Sequence, residues 1–143
     1  QDIIATAATG SGKTLAYAVR LIQNTTSDMG LQAVVIVPTR DLAKQVGEVL
    51  KRYSENKPLN IMVSYGGGSL KDQKKTFEEV DILVGTPGRI AEFIEEDILY
   101  FSNLIHAIFF SFYCFLFCNG FFNNFISATI NSKNNILAIF FIN

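Results

Sequence analysis

The sequence predicts an α/β domain in which a mostly parallel sheet is flanked by helices. Short apolar runs alternate with amphipathic stretches through the first hundred residues, the order that is typical of parallel strands joined by helices. One run, residues 33–37, is apolar at every position, as expected for a strand covered on both faces. A glycine-rich segment also lies between the first apolar run and the first helical stretch, which is where such sheets bind ligands.

The predicted elements follow one another in a regular order. Strands are predicted over residues 2–5, 33–37, 60–65 and 81–85, and helices over residues 13–23, 41–53, 69–77 and 89–95. Pro38 ends the second strand, and Ser69 has the side chain of an N-cap for the third helix. The second helix is amphipathic because its apolar residues recur at helical spacing; they are Leu42, Val46, Val49, Leu50 and Tyr53.

The most informative segment is the glycine-rich turn, which has the pattern of a P-loop apart from an alanine at its first place. Its residues are Ala7, Ala8, Thr9, Gly10, Ser11, Gly12, Lys13 and Thr14. The glycines let backbone N–H groups approach phosphate oxygens, and the following helix adds its N-terminal dipole. Lys13 would reach the β- and γ-phosphates, and the Thr14 hydroxyl would bind Mg²⁺. The alternative is an ordinary glycine-rich turn.

Two further polar turns follow predicted strands, and the carboxyl ends of parallel strands share one edge of a sheet. In the turn Pro38-Thr39-Arg40, the guanidinium offers a planar donor fork to a phosphate. The turn Thr86-Pro87-Gly88-Arg89 has similar chemistry to the first turn. It combines a hydroxyl group, a rigid proline, a glycine whose backbone is not covered by a side chain, and a guanidinium group. The pair Gly66-Gly67 is a third place where an RNA backbone could come close. Each of these turns alone is more often structural than functional.

Taken together and in order, these segments resemble the DEAD-box ATP-dependent RNA helicase family. Residues 7–14 look like its nucleotide-binding motif, and Pro38–Leu42 looks like motif Ia, with Asp41 where Glu is usual. Tyr65-Gly66-Gly67 looks like the family's GG element, and Thr86–Arg89 looks like motif Ib.

This resemblance implies a RecA-like P-loop NTPase domain, the first of two, and an intracellular protein. ATP and Mg²⁺ would bind the P-loop, with Lys13 and Thr14 as catalytic residues and Thr14 as the metal ligand. Single-stranded or structured RNA would be gripped through sugar and phosphate, independently of base sequence. The implied RNA-binding residues are Pro38, Thr39, Arg40, Gly66, Gly67, Thr86, Pro87, Gly88 and Arg89.

The composition changes at about residue 100. Residues 1–100 carry all the charged side chains except Lys133, and residues 101–143 hold 11 of the 13 Phe. We therefore expect residues 1–100 to be the N-terminal part of the helicase domain, and residues 101–143 to be a degenerate or mistranslated remainder of it. A sequencing or gene-model error stays open.

The acidic Asp-Glu-Ala-Asp motif of the family is missing from this second part. Ser102–Phe110 looks like the family's strand leading to that motif, and Leu116–Phe121 looks like the segment after it. Between them stand Ser111-Phe112-Tyr113-Cys114, and no acidic residue follows Asp97. Because the family's acidic pair positions Mg²⁺ and the attacking water, we expect a hydrolysis-defective chain.

A motif III candidate, Ser127-Ala128-Thr129, follows about 15 residues earlier than the family spacing places it. It is either a relic of the family motif, in keeping with its apolar flanks, or a chance tripeptide. The adenine-reading Q motif of the family would lie upstream of residue 1, and its second RecA-like domain is missing from this chain.

Other functions are weaker interpretations. Residues 98–118 carry no formal charge and are long enough to cross a bilayer, but no basic cluster flanks them, so no membrane contact is expected. Cys114, Cys118 and His106 are too few for a zinc site. The net charge of −1 gives no general basic field, so RNA must meet local patches. The main alternative is a non-catalytic nucleotide- or RNA-binding remnant, or a pseudogene product.

Overall fold

The computed structural model describes residues 3–6, 8, 10–110 and 137–142. It contains four helices within this part of the chain: α1 (Lys13–Asn24), α2 (Arg40–Tyr53), α3 (Leu70–Phe77) and α4 (Pro87–Glu95). The strands there are β1 (Ile3–Thr6), β2 (Ala33–Ile36), β3 (Ile61–Ser64), β4 (Ile82–Gly85), β5 (His106–Phe110) and β6 (Leu137–Ile142). The predicted α/β class is confirmed.

All six strands belong to one parallel sheet, whose order is β1-β6-β5-β2-β4-β3. In the central register, Ile36 at the end of β2 lies opposite Gly85 of β4 and Phe109 of β5. Strand β3 is the other neighbour of β4, and its Ser64 also lies opposite Gly85. The strands therefore end together, and the segments that follow them meet along one edge of the sheet.

Strands β5 and β6 both come from the Phe-rich part of the chain, beyond residue 100. They lie between β1 and β2, and within the described residues β1 pairs with β6 alone. The strand that precedes the glycine-rich turn is thus joined to the central sheet through these two strands.

The core has two layers because the sheet is covered on both faces. On one face, Val34 and Ile36 of β2 pack with α4 and with the segment that follows it. On the other face, Ala33 and Val35 pack with the buried sides of α1 and α2. Every residue of β2 and β4 is buried, which explains the continuous apolar runs in the sequence.

Candidate functional site

The glycine-rich turn, here called the phosphate loop (residues 7–14), connects β1 to α1. Its glycines Gly10 and Gly12 have φ values of 81° and 82°, a left-handed conformation that disfavours residues with a Cβ. Gly12 is also the N-cap of α1. A Cβ placed on either glycine would meet no atom of the described residues within 4 Å, so those residues leave the space beside the loop open. Ala7 and Thr9 lie outside the described residues.

The first turn of α1 places two polar side chains, Lys13 and Thr14, at this opening. Lys13 and Thr14 are both half-buried and occupy the first two positions of the helix. The first N–H groups of a helix have no acceptor within it, and the helix dipole favours negative charge at that end. The loop and helix therefore offer backbone donors, an ammonium group and a hydroxyl to one small volume, a set that suits a phosphate and its cation.

Tyr17 supports this turn from behind and was missed by the sequence analysis. Its ring is 2% exposed, and it packs edge-on against Phe110 at the end of β5, with the ring centroids 5.5 Å apart. Burial raises the pKa of the Tyr17 hydroxyl. Its position one turn after Lys13, on the buried face of an amphipathic helix, is the signal that could have identified it.

The turn after β2 presents a free cation at the same edge. Thr39 is the N-cap of α2, and its Oγ1 accepts a hydrogen bond from Leu42 N at 3.2 Å. Arg40 is exposed and begins α2. Within the part of the chain that the structure describes, Arg40 forms no hydrogen bond or ion pair, so its guanidinium is available to a ligand.

A second loop, here called the glycine loop (residues 65–69), connects β3 to α3 beside Arg40. A Cβ on Gly66 would lie 3.7 Å from Arg40 Nη2, and Gly67 has a φ of 108°. Lys44, one turn along α2 from Arg40, places Nζ 5.4 Å from the centre of the Tyr65 ring. Two cations of α2 therefore lie along this loop, and Lys44 was not among the residues predicted from the sequence.

Arg89 lies under the glycine loop, where only 3% of it is exposed. Its Nη2 donates to Gly68 O at 2.8 Å, and both Nε and Nη2 donate to Tyr65 O at 3.3 Å. Its Nη1 pairs with Glu92 Oε2 at 3.0 Å, and the guanidinium lies 5.9 Å from the centre of the Phe93 ring. The phosphate contact predicted for Arg89 is untested, while its observed partners are backbone carbonyls and a carboxylate.

A side-chain pair closes the other end of the glycine loop. Ser64 at the end of β3 donates its hydroxyl hydrogen to Gln73 Oε1 at 2.8 Å. A Cβ on Gly68 would lie 3.2 Å from Gln73 Nε2. Neither Ser64 nor Gln73 was predicted, because their contact joins residues nine positions apart that share no sequence motif.

The turn after β4 completes the edge. Thr86 N donates to Ser64 O at 3.3 Å, which ties this turn to the end of β3. Thr86 is the N-cap of α4, without a hydrogen bond from its side chain to the helix, and Pro87 occupies the first turn, a position that suits proline. Gly88 is exposed, and a Cβ there would meet nothing within 4 Å. The N-terminus of α4 is thus open to a ligand.

This arrangement matches a known family. The sequence model of the DEAD/DEAH box helicases matches residues 1–109, about three quarters of the chain. The chain belongs to the DEAD/DEAH box helicase family. The resemblance predicted from the sequence is confirmed, and the match ends one residue before the end of β5.

Relatives and solved structures of this helicase family agree. A probable ATP-dependent RNA helicase of Methanocaldococcus jannaschii is 39% identical over 107 residues, or 75% of this chain and 29% of that protein. The RNA helicase CrhR of Synechocystis is 42% identical over 96 residues, or 66% of this chain and 20% of that protein. The chain therefore spans less than a third of either relative.

Among solved structures, a DEAD box protein from Methanococcus jannaschii superposes with a TM-score of 0.82 at 34% identity. That match covers 99% of this chain and 39% of the other. A yeast DEAD-box splicing factor has a TM-score of 0.83 at 23% identity and covers 99% of this chain and 36% of its own, which shows the shared fold. The RecA-like α/β architecture predicted for the helicase domain is confirmed.

Some predicted residues lie outside the described part of this helicase-family chain. They are the substituted acidic segment Ser111-Phe112-Tyr113-Cys114, the motif III candidate Ser127-Ala128-Thr129, and Cys118. Strand β5, which leads to the acidic segment in the sequence, is described, and it lies between β2 and β6. The strand expected from the resemblance at this place is therefore present.

A membrane-spanning segment and a zinc site were the two other interpretations of the residues beyond about 98. No helix among them is long and apolar enough to cross a membrane, and residues 106–110 of the uncharged stretch form a strand. No group of three or more His, Cys, Asp or Glu side chains in the described ranges could hold a metal ion. His106 is buried at the start of β5, and burial, with a smaller effect of Arg20, lowers its pKa.

Proposed function

We propose that this chain binds ATP with Mg²⁺ at the phosphate loop and single-stranded RNA along the adjacent loops of the same sheet edge. The observation that carries the proposal is the convergence of the N-termini of α1, α2 and α4 on one edge of a parallel sheet. In the relatives, whose names describe ATP-dependent RNA helicases, the whole protein is several times longer. We also propose that a longer protein that contains this chain unwinds RNA inside the cell.

The residues of the phosphate loop fit the triphosphate and its cation. Two glycines in the left-handed conformation leave the space beside the loop open, and a side chain there would occupy the volume a phosphate needs. Lys13 supplies a point charge for the β- and γ-phosphates, and the Thr14 hydroxyl is an oxygen ligand of the kind that Mg²⁺ prefers. Bound Mg²⁺ would neutralise charge on the phosphates, while this chain's own residues hold and orient them.

The RNA track is proposed to run from Arg40 past the glycine loop to Gly88. Arg40 is exposed and within reach of Gly66, Lys44 lies over Tyr65, and Gly88 leaves the start of α4 open. Cationic side chains, helix N-termini and glycine backbone contact phosphates and sugars, and such contacts do not distinguish one base from another. RNA binding by this edge is therefore proposed to be independent of sequence.

We further propose that ATP hydrolysis is defective. In the sequence, β5 leads directly into Ser111-Phe112-Tyr113-Cys114, four residues without a carboxylate. Phosphoryl transfer relies on positioning the cation and the attacking water, and carboxylates at this place would supply both functions. The binding functions use residues elsewhere on the edge, so they are proposed to persist.

Two binding assays and a measurement of ATP turnover, all on the 143-residue chain, test this function. Titration with a fluorescent ATP analogue and Mg²⁺ measures nucleotide binding, and anisotropy of fluorescein-labelled oligouridine measures RNA binding. We expect nucleotide binding that Lys13→Ala weakens roughly ten- to a hundredfold, RNA binding that Arg40→Gln weakens, and no turnover above the Lys13→Ala background. Mg²⁺-dependent turnover that Lys13→Ala removes would contradict the hydrolysis defect, and absence of both binding activities would contradict the proposal as a whole.

A gain-of-function variant tests whether the missing carboxylates cause the proposed hydrolysis defect. The quadruple variant Ser111→Asp, Phe112→Glu, Tyr113→Ala and Cys114→Asp restores the four-residue acidic motif of the family. We expect RNA-stimulated ATP turnover to rise above that of the parent chain, while affinity for nucleotide stays similar. A parent chain that already matches this variant in turnover would remove the argument from the missing carboxylates.

A further inference from the structure

We propose that Arg89 is a positioning residue that holds the glycine loop in the shape that RNA meets, and that the phosphate charge contact on this side is made by Arg40. This inference rests on the proposed RNA-binding function and deepens it. Both Arg40 and Arg89 were predicted from the sequence to contact RNA. The proposal gives them two different physical roles at the same edge of the sheet.

The donors of Arg89 point into the protein. Arg89 is 3% exposed, and its guanidinium donates to the carbonyl oxygens of Tyr65 and Gly68, the two ends of a four-residue span. The Glu92 carboxylate pairs with Nη1 at 3.0 Å, and the Phe93 ring lies 5.9 Å from the guanidinium. A planar fork can bridge several acceptors in a fixed geometry, whereas an ammonium group cannot.

The loop held in this way has little rigidity of its own. It contains three consecutive glycines, residues 66–68, and glycine loses more conformational freedom on ordering than any other residue. Gly67 adopts a φ of 108°, and Gly68 is further approached by Gln73 Nε2. A cross-link from one buried side chain to the carbonyl groups of Tyr65 and Gly68 therefore limits the conformations that the glycines could otherwise sample.

Arg40 has the opposite character. It is exposed, lies beside Gly66, and forms no hydrogen bond or ion pair within the described residues, so its charge is available to a phosphate. Each phosphate neutralised on a single strand contributes about 0.7 to the slope of log affinity against log salt concentration. Backbone contacts from a positioned loop release no counterion, so the two roles differ in the salt dependence of binding.

The test compares Arg89→Lys and Arg89→Gln with the matched pair Arg40→Lys and Arg40→Gln, all in the 143-residue chain. NMR order parameters of Gly67 and Gly68 report the loop without RNA, and anisotropy of fluorescein-labelled oligouridine over a salt series reports binding. We expect both Arg89 variants to lower the order parameters from about 0.85 to below about 0.6. They should weaken RNA binding about tenfold, with the salt slope unchanged.

For the matched pair, we expect Arg40→Gln to flatten the salt slope by about 0.7, and Arg40→Lys to retain it, with rigid glycines in both. An Arg89→Lys chain with wild-type loop order and RNA affinity would overturn the positioning role. So would an Arg89→Gln chain whose salt slope falls by about 0.7. If the parent chain binds no oligouridine, the RNA function fails, while the glycine order parameters still decide the role of Arg89.

A second variant covers the case in which the Arg89 variants do not fold, which thermal melting followed by circular dichroism would reveal. Glu92→Ala removes the carboxylate on the exposed side of the pair, since Glu92 is 47% exposed. We expect a lower order parameter at Gly68 with a melting temperature close to that of the parent chain. Unchanged glycine order parameters in this variant would overturn the proposal.

Discussion

The phosphate loop and the glycine loop both join a strand to a helix at the same edge of the sheet, yet they differ in what holds them. Around the phosphate loop, a Cβ on Gly10 or Gly12 would meet nothing within 4 Å. In the glycine loop, a Cβ on Gly68 would lie 3.2 Å from Gln73 Nε2, and Arg89 bonds to Gly68 O. A Cβ on Gly67 would also meet no described atom within 4 Å. The two loops therefore differ in the side chains of α3 and α4 that approach Gly68, and not in the openness of every glycine.

Because the two loops differ in this way, one edge of the sheet can serve two kinds of ligand. A triphosphate carries enough charge to order a loop around itself, so open space is useful there. An RNA backbone held without base contacts offers less energy per contact, so a loop that is ordered beforehand avoids part of the entropic cost of binding.

The largest effect is expected from Lys13→Ala. Loss of a charged donor to the β- and γ-phosphates costs about 1.5–3 kcal/mol, or roughly ten- to a hundredfold in affinity for ATP. Isothermal titration with ATP and Mg²⁺ measures it. The control is Lys44→Ala, which removes an exposed cation beside the glycine loop and should leave ATP affinity unchanged; equal losses in both variants would refute the division of roles.

Next in size are the paired glycine variants Gly12→Ala and Gly67→Ala. Both positions have positive φ values, 82° and 108°, so a Cβ strains each by about 1–2 kcal/mol. We expect Gly12→Ala to weaken ATP binding and Gly67→Ala to weaken oligouridine binding, each by about tenfold and each with little effect on the other ligand. Loss of both ligands in either variant would mean that the two loops are not independent.

A smaller effect on stability separates the two threonine N-caps of the edge. Thr39 Oγ1 accepts a hydrogen bond from Leu42 N, so Thr39→Ala should lower the free energy of unfolding by about 1 kcal/mol. Thr86 makes no side-chain bond to its helix, so Thr86→Ala should change that free energy by less than about 0.5 kcal/mol. Urea unfolding of the two variants measures the difference, and a larger loss for Thr86→Ala would reverse the assignment.

The smallest expected effect concerns His106, which lies at the start of β5, the opposite end of the strand from both loops. Because burial lowers its pKa in the folded chain, the unfolded chain takes up a proton first as the pH falls through about 6.5. Stability should therefore decrease below that pH. Thermal melting between pH 7.5 and 5.5 should show a smaller decrease in His106→Gln, and identical profiles would exclude this contribution.

Much of the fold could be predicted from the sequence because it depends on local patterns. The buried strand β2 is apolar at each of its positions, and α2 repeats its apolar residues at helical spacing. The boundaries differ slightly: α4 begins at Pro87 instead of Arg89, since proline fits the first turn of a helix. Strand β6, whose sequence carries no turn signal or motif, was not predicted.

The candidate site was predictable where chemistry follows a motif and less so where it depends on distant contacts. The phosphate loop lies in one segment, and its strand–turn–helix setting is confirmed. The partners of Arg89 are carbonyl groups 24 and 21 residues earlier in the chain, and no sequence pattern shows that they converge. Gln73 was missed for the same reason, because its role arises from packing between elements.

The most direct test of this account is an NMR measurement of glycine order parameters in the 143-residue chain, with and without ATP and Mg²⁺. We expect values below about 0.6 for Gly10 and Gly12 without nucleotide, rising to about 0.85 with it. Gly67 and Gly68 should remain near 0.85 in both states. A mobile glycine loop, or a phosphate loop that ATP leaves unchanged, would contradict it.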